Sequence, residues 1–66
     1  MKNFGDKLRQ LRIDAGLTQR DVAERTGLKL SALSHYEHGR REPSLRNLRR
    51  LSLALGISAD ELLRGD

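Results

Sequence analysis

The sequence predicts an all-α fold, a compact bundle of five short helices. Leucine supplies most of its apolar content, β-branched residues are few, and no stretch alternates apolar and polar residues with the period of a strand. Sixty-six residues allow one domain with a small core, expected to span residues 1–66.

The elements follow in order. Helix 1 is expected from about Phe4 to Ala15, with Phe4, Leu8, Leu11 and Ala15 on one stripe and Gly16 closing it as a C-cap. Thr18 opens helix 2 and has Asp21 three residues on, the spacing of a capping box; Val22, Ala23 and Thr26 face inward. Gly27 interrupts the pattern after two turns. A third helix is predicted from about Leu30 to His38, stopped by Gly39. "GRREP" reads as a loop, because Pro43 disfavours helix at Glu42. Ser44 caps helix 4, where Leu45, Leu48, Leu51 and Leu55 keep helical spacing up to Gly56. Ser58 and Glu61 form a second capping box, opening the last helix, "SADELL".

Composition narrows the function. The chain has no cysteine, so neither a disulfide framework nor a thiolate metal site is available, and a reducing cytoplasm is the expected setting. No apolar run approaches the roughly 20 residues of a membrane span. Thirteen Lys and Arg against nine Asp and Glu give +4. Ten of the thirteen are arginine, whose planar guanidinium matches phosphate oxygens. The sequence has no glycine-rich phosphate loop and no nucleophile elbow, and two histidines on one helix face lack a third ligand. No catalytic residue, metal or cofactor is expected.

The informative stretch runs from Gln19 to His38. An abrupt corner between two short helices needs a residue free to take positive φ, which Gly27 provides. It also needs a small side chain where the helices touch, Ala23, and apolar residues around the angle, Val22, Leu28, Leu33 and Tyr36. These residues stand at the spacing of a helix-turn-helix. With "LRQLRIDAGLTQRDVAERTGL", "SALSHYEHGRREPSL" and "LALGISADELL", the chain resembles the helix-turn-helix family of the phage lambda repressor and Cro over nearly its whole length. The resemblance implies a sequence-specific regulator binding operator DNA as a homodimer. An antitoxin or other protein-interaction module with autoregulatory DNA binding is the alternative.

Helical geometry sorts the third helix. With Leu33 pointing inward and about 100° per residue, Tyr36 and Glu37 flank the core direction, whereas Ser31, Ser34, His35 and His38 point away. An inward carboxylate is costly unless paired. Arg12, late in helix 1, is its expected partner, and the resemblance implies the same pair. The outward residues Leu30, Ser31, Ser34 and His35 are the candidates for base edges in a major groove about 12 Å wide. Many relatives carry Gln or Arg at such positions, so modest discrimination per contact is expected. Arg20 and Arg46 sit in first helical turns, where a cation is unfavourable unless an anion is bound there. Lys29, Arg40 and Arg41 extend the phosphate-contacting strip, and the resemblance adds Gln19. Leu53, about 200° around the helix from Leu51, and Leu63 in the last helix are the candidates for a two-fold dimer contact, in the region where the resemblance places one.

Overall fold

The computed structural model describes residues 4–64 of the chain, so the two ends of the expected 1–66 domain lie outside the described residues. Five helices follow one another: α1 (Phe4–Asp14), α2 (Gln19–Thr26), α3 (Leu30–Glu37), α4 (Leu45–Leu55) and α5 (Ala59–Leu63). No strand occurs among the described residues. α1 packs against α3 and α5, α2 against α3 and α4, and α4 against α5.

Each helix drives one side chain fully into the common centre. Leu8, Val22, Leu33, Leu51 and Leu62, one from each helix in turn, are at most 1% exposed. Burying a side chain of this kind stabilises the fold by about 1.5–3 kcal/mol, so the five helices are held by what they share and not by their own propensity. Phe4, Leu11, Leu17, Leu28 and Ile57 close around that centre.

Three helix starts carry side-chain caps. Thr18 accepts from the Asp21 amide at 3.0 Å, and Asp21 accepts in return from the Thr18 amide at 2.9 Å, completing the expected capping box. That backbone N–H, and after it the Thr18 hydroxyl, holds the Asp21 carboxyl below its ordinary range. Ser44 caps α4 through the Asn47 amide, and Ser58 caps α5 through the Glu61 amide. The second expected box is only half formed, because the Glu61 carboxylate turns to Lys7 at 3.6 Å and Arg64 at 3.8 Å.

The corner between α2 and α3 takes the form its sequence requires. Gly27 adopts φ 76° and ψ 9°, and its amide donates to the Ala23 carbonyl. A left-handed residue reverses the chain within one position, which a side chain would resist. Thr26 adds a brace. Its hydroxyl donates to the Val22 carbonyl at 2.7 Å and accepts from the Leu28 amide at 3.2 Å, tying the end of α2 to the turn.

Several boundaries and stripe positions differ from expectation. α1 ends at Asp14; Ala15 lies exposed in the following turn, where its amide still reaches the Leu11 carbonyl. His38 is the C-cap of α3 and not part of it. Leu45 is 75% exposed because it stands in the first turn of α4, about 60° around from Leu48. Leu55, in the last turn, is only partly buried.

A close approach that the apolar pattern does not announce fixes α1 on α3. Gly5 is buried in the first turn of α1, and a β-carbon built there would lie 2.6 Å from the Glu37 carbonyl oxygen and 2.7 Å from that of Tyr36. Both are backbone atoms and cannot swing aside. Ala is the better helix former by about 1 kcal/mol, yet overpacking costs about 1–3 kcal/mol. Gly5→Ala is therefore expected to lower the midpoint of urea unfolding, and an unchanged or raised midpoint would show that α1 can move off α3 freely.

Candidate nucleic-acid interface

The attitude of α3 is set from its inner side by Glu37, whose side chain is 2% exposed. Arg12 grips the carboxylate with two nitrogens, Nε donating to Oε2 at 2.7 Å and Nη2 to Oε1 at 3.2 Å. The third guanidinium nitrogen, Nη1, donates to the Leu17 carbonyl at 2.9 Å, in the turn between α1 and α2. Gln19 completes the set, its Nε2 donating to Oε1 at 3.0 Å. The carboxylate thus accepts three hydrogen bonds, from the end of α1 and the start of α2. A fork of this kind is among the stronger charge-assisted contacts.

Gln19 was expected at phosphate. One N–H of its amide is given to Glu37, which leaves the second N–H and the helix start it occupies for an outside partner. Its placement serves the corner first.

Among the described residues, the outward side of α3 makes no side-chain hydrogen bond to another helix. Leu30 is 43% exposed and Ser31 is exposed, while Ser34 and His35 are half-buried. The two histidines behave differently. His38 places Nδ1 2.8 Å from the Ser34 carbonyl, so it turns back onto its own helix. The Nδ1 of His35 is buried without any hydrogen-bond partner.

α3 also differs from its neighbours at its start. Its N-cap, Lys29, makes no side-chain capping bond, whereas α2, α4 and α5 are all capped from a Thr or Ser side chain. The first-turn amides of α3 therefore lack the side-chain acceptor their counterparts have, a setting that favours an external anion or polar group. Lys29 itself is exposed there.

The remaining cationic candidates surround this helix in sequence and remain in solvent. Arg20 in the first turn of α2, Arg46 in that of α4, and Arg40 and Arg41 in the loop after α3 are all exposed. Among the described residues none of the four has a carboxylate within 4 Å. One link was not anticipated: Asn47, next to Arg46, donates through Nδ2 to the Tyr36 hydroxyl at 3.0 Å. It ties the first turn of α4 to α3. The signal in the sequence was a tyrosine at a core-facing position, whose hydroxyl needs a partner when buried.

Comparison with known proteins places this arrangement. A family model described as helix-turn-helix matches residues 8–62. The chain belongs to the helix-turn-helix family. It is 39% identical over 62 residues to YonR, an HTH-type transcriptional regulator of Bacillus subtilis derived from the SPbeta prophage, covering 94% of this chain and 57% of that protein. It is 36% identical over 61 residues to the control protein C.BamHI of Bacillus amyloliquefaciens, with 91% and 75% covered. The chain spans only 31% of another helix-turn-helix relative, the transcriptional activator BcrR of Enterococcus faecalis. Among solved structures, the restriction-modification controller protein C.AhdI from Aeromonas hydrophila superposes with a TM-score of 0.90 at 41% identity, over 92% of each chain. The P22 c2 repressor, in complex with a synthetic operator, gives 0.91 at 33% identity over the whole of both.

For this helix-turn-helix, the Arg12–Glu37 pair decides whether α3 stays in place. Removing one partner of a buried pair strands the other, at a cost of about 3 kcal/mol. Domains of this size rarely hold more than about 3–5 kcal/mol in total. Glu37→Ala is thus expected to be close to unfolded in the absence of denaturant, by circular dichroism on heating. Replacing Arg12 and Glu37 together with leucine should cost less than either single change. A Glu37→Ala protein that melts like the parent would contradict this.

Proposed function

We propose that this domain binds double-stranded operator DNA as a small transcriptional regulator, with α3 in the major groove and two copies on a two-fold site. The observation that carries the reading is a helix fixed by a buried carboxylate on one side and left unpartnered on the other. Before and after it in sequence come exposed cations with no carboxylate within 4 Å among the described residues. Such a face leaves helix-start amides uncapped and first-turn cations unmatched in the free protein, and gains when an anionic, hydrogen-bonding surface is brought to it. Affinity to regulators of this kind supports the same reading.

In this assignment Arg20, Arg40, Arg41 and Arg46 hold phosphates, joined by Lys29 and by the uncapped start of α3. Gln19 contributes with the second N–H of its side-chain amide and with the helix start it occupies. Ser31, Ser34 and His35 address base edges, and Leu30 can lie against a thymine methyl. Serine hydroxyls donate and accept alike, so discrimination comes mainly from the sum of contacts. No catalytic step, metal or cofactor enters, and the setting is the cytoplasm, where DNA is bound.

The dimer contact is assigned to Leu63 in preference to Leu53. Leu53 is 80% exposed, but it shares its helix face with Arg46, Arg49 and Arg50 and a cleft with Arg25. A two-fold contact there would set like charges against one another. Leu63, 57% exposed, lines a shallow, mainly apolar hollow with Phe4, Glu42, Pro43 and Leu48, where a two-fold contact meets one carboxylate and no cluster of arginines. Two copies joined this way must present their recognition helices about 34 Å apart, one turn of DNA.

Selection of bound duplexes from a random pool tests the whole proposal. A palindromic consensus is expected, bound cooperatively by the parent and without cooperativity by Leu63→Lys. Arg46→Ala should weaken binding on every sequence alike and reduce the salt slope by about one unit. Failure to enrich any sequence, with only weak salt-dependent binding, would favour a module whose first partner is a protein.

A further inference from the structure

The two histidines near the end of α3 differ in a way that bears on what the outward face can read. His38 sets its Nδ1 2.8 Å from the Ser34 carbonyl oxygen. A carbonyl only accepts, so that nitrogen carries a proton. Three residues earlier, the Nδ1 of His35 is buried with nothing to bond to, whereas its Nε2 is not a buried, unpartnered atom. A neutral imidazole has a proton on one nitrogen and a lone pair on the other. Putting the proton on the buried Nδ1 would strand an N–H, and stranded donors are rarer and costlier than under-used acceptors.

We infer that His35 is held as its Nε2–H tautomer and presents a lone hydrogen-bond donor to the groove, selecting guanine. This rests on the DNA-binding reading above. Guanine offers two adjacent acceptors, O6 and N7, in the major groove. Adenine pairs its N7 with an amino donor that opposes another donor, cytosine shows only its amino group, and thymine flanks its one acceptor with a methyl. The serines on the same face have no such polarity, since each hydroxyl rotates to suit its partner. Among the base-edge candidates Ser31, Ser34 and His35, His35 is therefore the one that can reject a base by the sign of its hydrogen bond.

Two measurements test this. Long-range proton–nitrogen correlation spectra of the free protein, taken about two units above the ordinary imidazole pKa, report the tautomer of each ring directly. His35 should show the Nε2–H pattern and His38 the opposite one in the same spectrum. His35 as the Nδ1–H form, or an even mixture, overturns the inference whatever the protein binds. Duplex selection with the parent and with His35→Gln supplies the second readout, because glutamine's amide suits adenine. One guanine per half-site should become adenine while the rest of the consensus stays. In the parent, replacing that guanine by cytosine should weaken binding on the order of fivefold. A parental consensus in which every position is indifferent to His35→Gln overturns the donor assignment and leaves the DNA reading standing. No consensus at all from the parent overturns both.

Discussion

The buried carboxylate of Glu37 is the constraint on which the rest of the molecule depends. It lies on the inner side of α3 and is almost wholly buried, and an ionised group there is tolerable only with its lone pairs filled. Arg12 and Gln19 fill them from α1 and α2. The same guanidinium holds the Leu17 carbonyl, so the turn between those two helices is drawn into the arrangement. Apolar packing alone would resist separation of the helices but would tolerate some sliding and rotation. Directional hydrogen bonds do not. The pair therefore specifies an angle where the leucines specify only a distance.

That angle has a consequence on the opposite surface. Turning Glu37 inward places Ser31 and His35, about 120° and 160° around from it, outward by helical periodicity alone, so positioning the structural pair and exposing the candidate reading face are one event. The backbone cooperates at two places where a side chain could not be accommodated. Gly27 makes the corner, and Gly5 lets α1 approach the last carbonyls of α3. Thr26 and Asn47 brace α3 from either end, one through the turn before it and one through the Tyr36 hydroxyl. What remains outward is short, polar and weakly committed, which suits a surface whose partner supplies the missing hydrogen bonds.

Much of this was legible in the sequence because its signals are local. Caps at Thr18, Ser44 and Ser58, glycine breaks, and leucines at helical spacing mark five helices without tertiary information. The Arg12–Glu37 pair was legible too, since an inward carboxylate demands a cation and few are placed to reach it. The misses are non-local. Nothing near Gly5 announces that the end of α3 will lie on it, and a glycine in a first helical turn looks like an ordinary weak helix former. Gln19 reads as a free polar residue until α3 is packed beside it. Leu45 fits the stripe of α4 by spacing, yet the stripe does not reveal that the first turn projects beyond the core. The Glu61 carboxylate could not be assigned from spacing alone, because Lys7 and Arg64 compete with the cap for it.

If the Glu37 cluster presets the attitude of α3, docking on DNA should leave it undisturbed. Nuclear magnetic resonance titration of the isotope-labelled protein with a duplex bearing its selected site reports both surfaces at once. The expected result is movement of the Ser31, Ser34 and His35 amides and of those around Arg20 and Arg46. The side-chain N–H signals of Arg12 Nε and Gln19 Nε2 should keep their free-state positions. Shifts centred instead on Arg49 to Leu53, or a rearrangement of the Arg12 and Gln19 signals as large as that of the outward face, would contradict it.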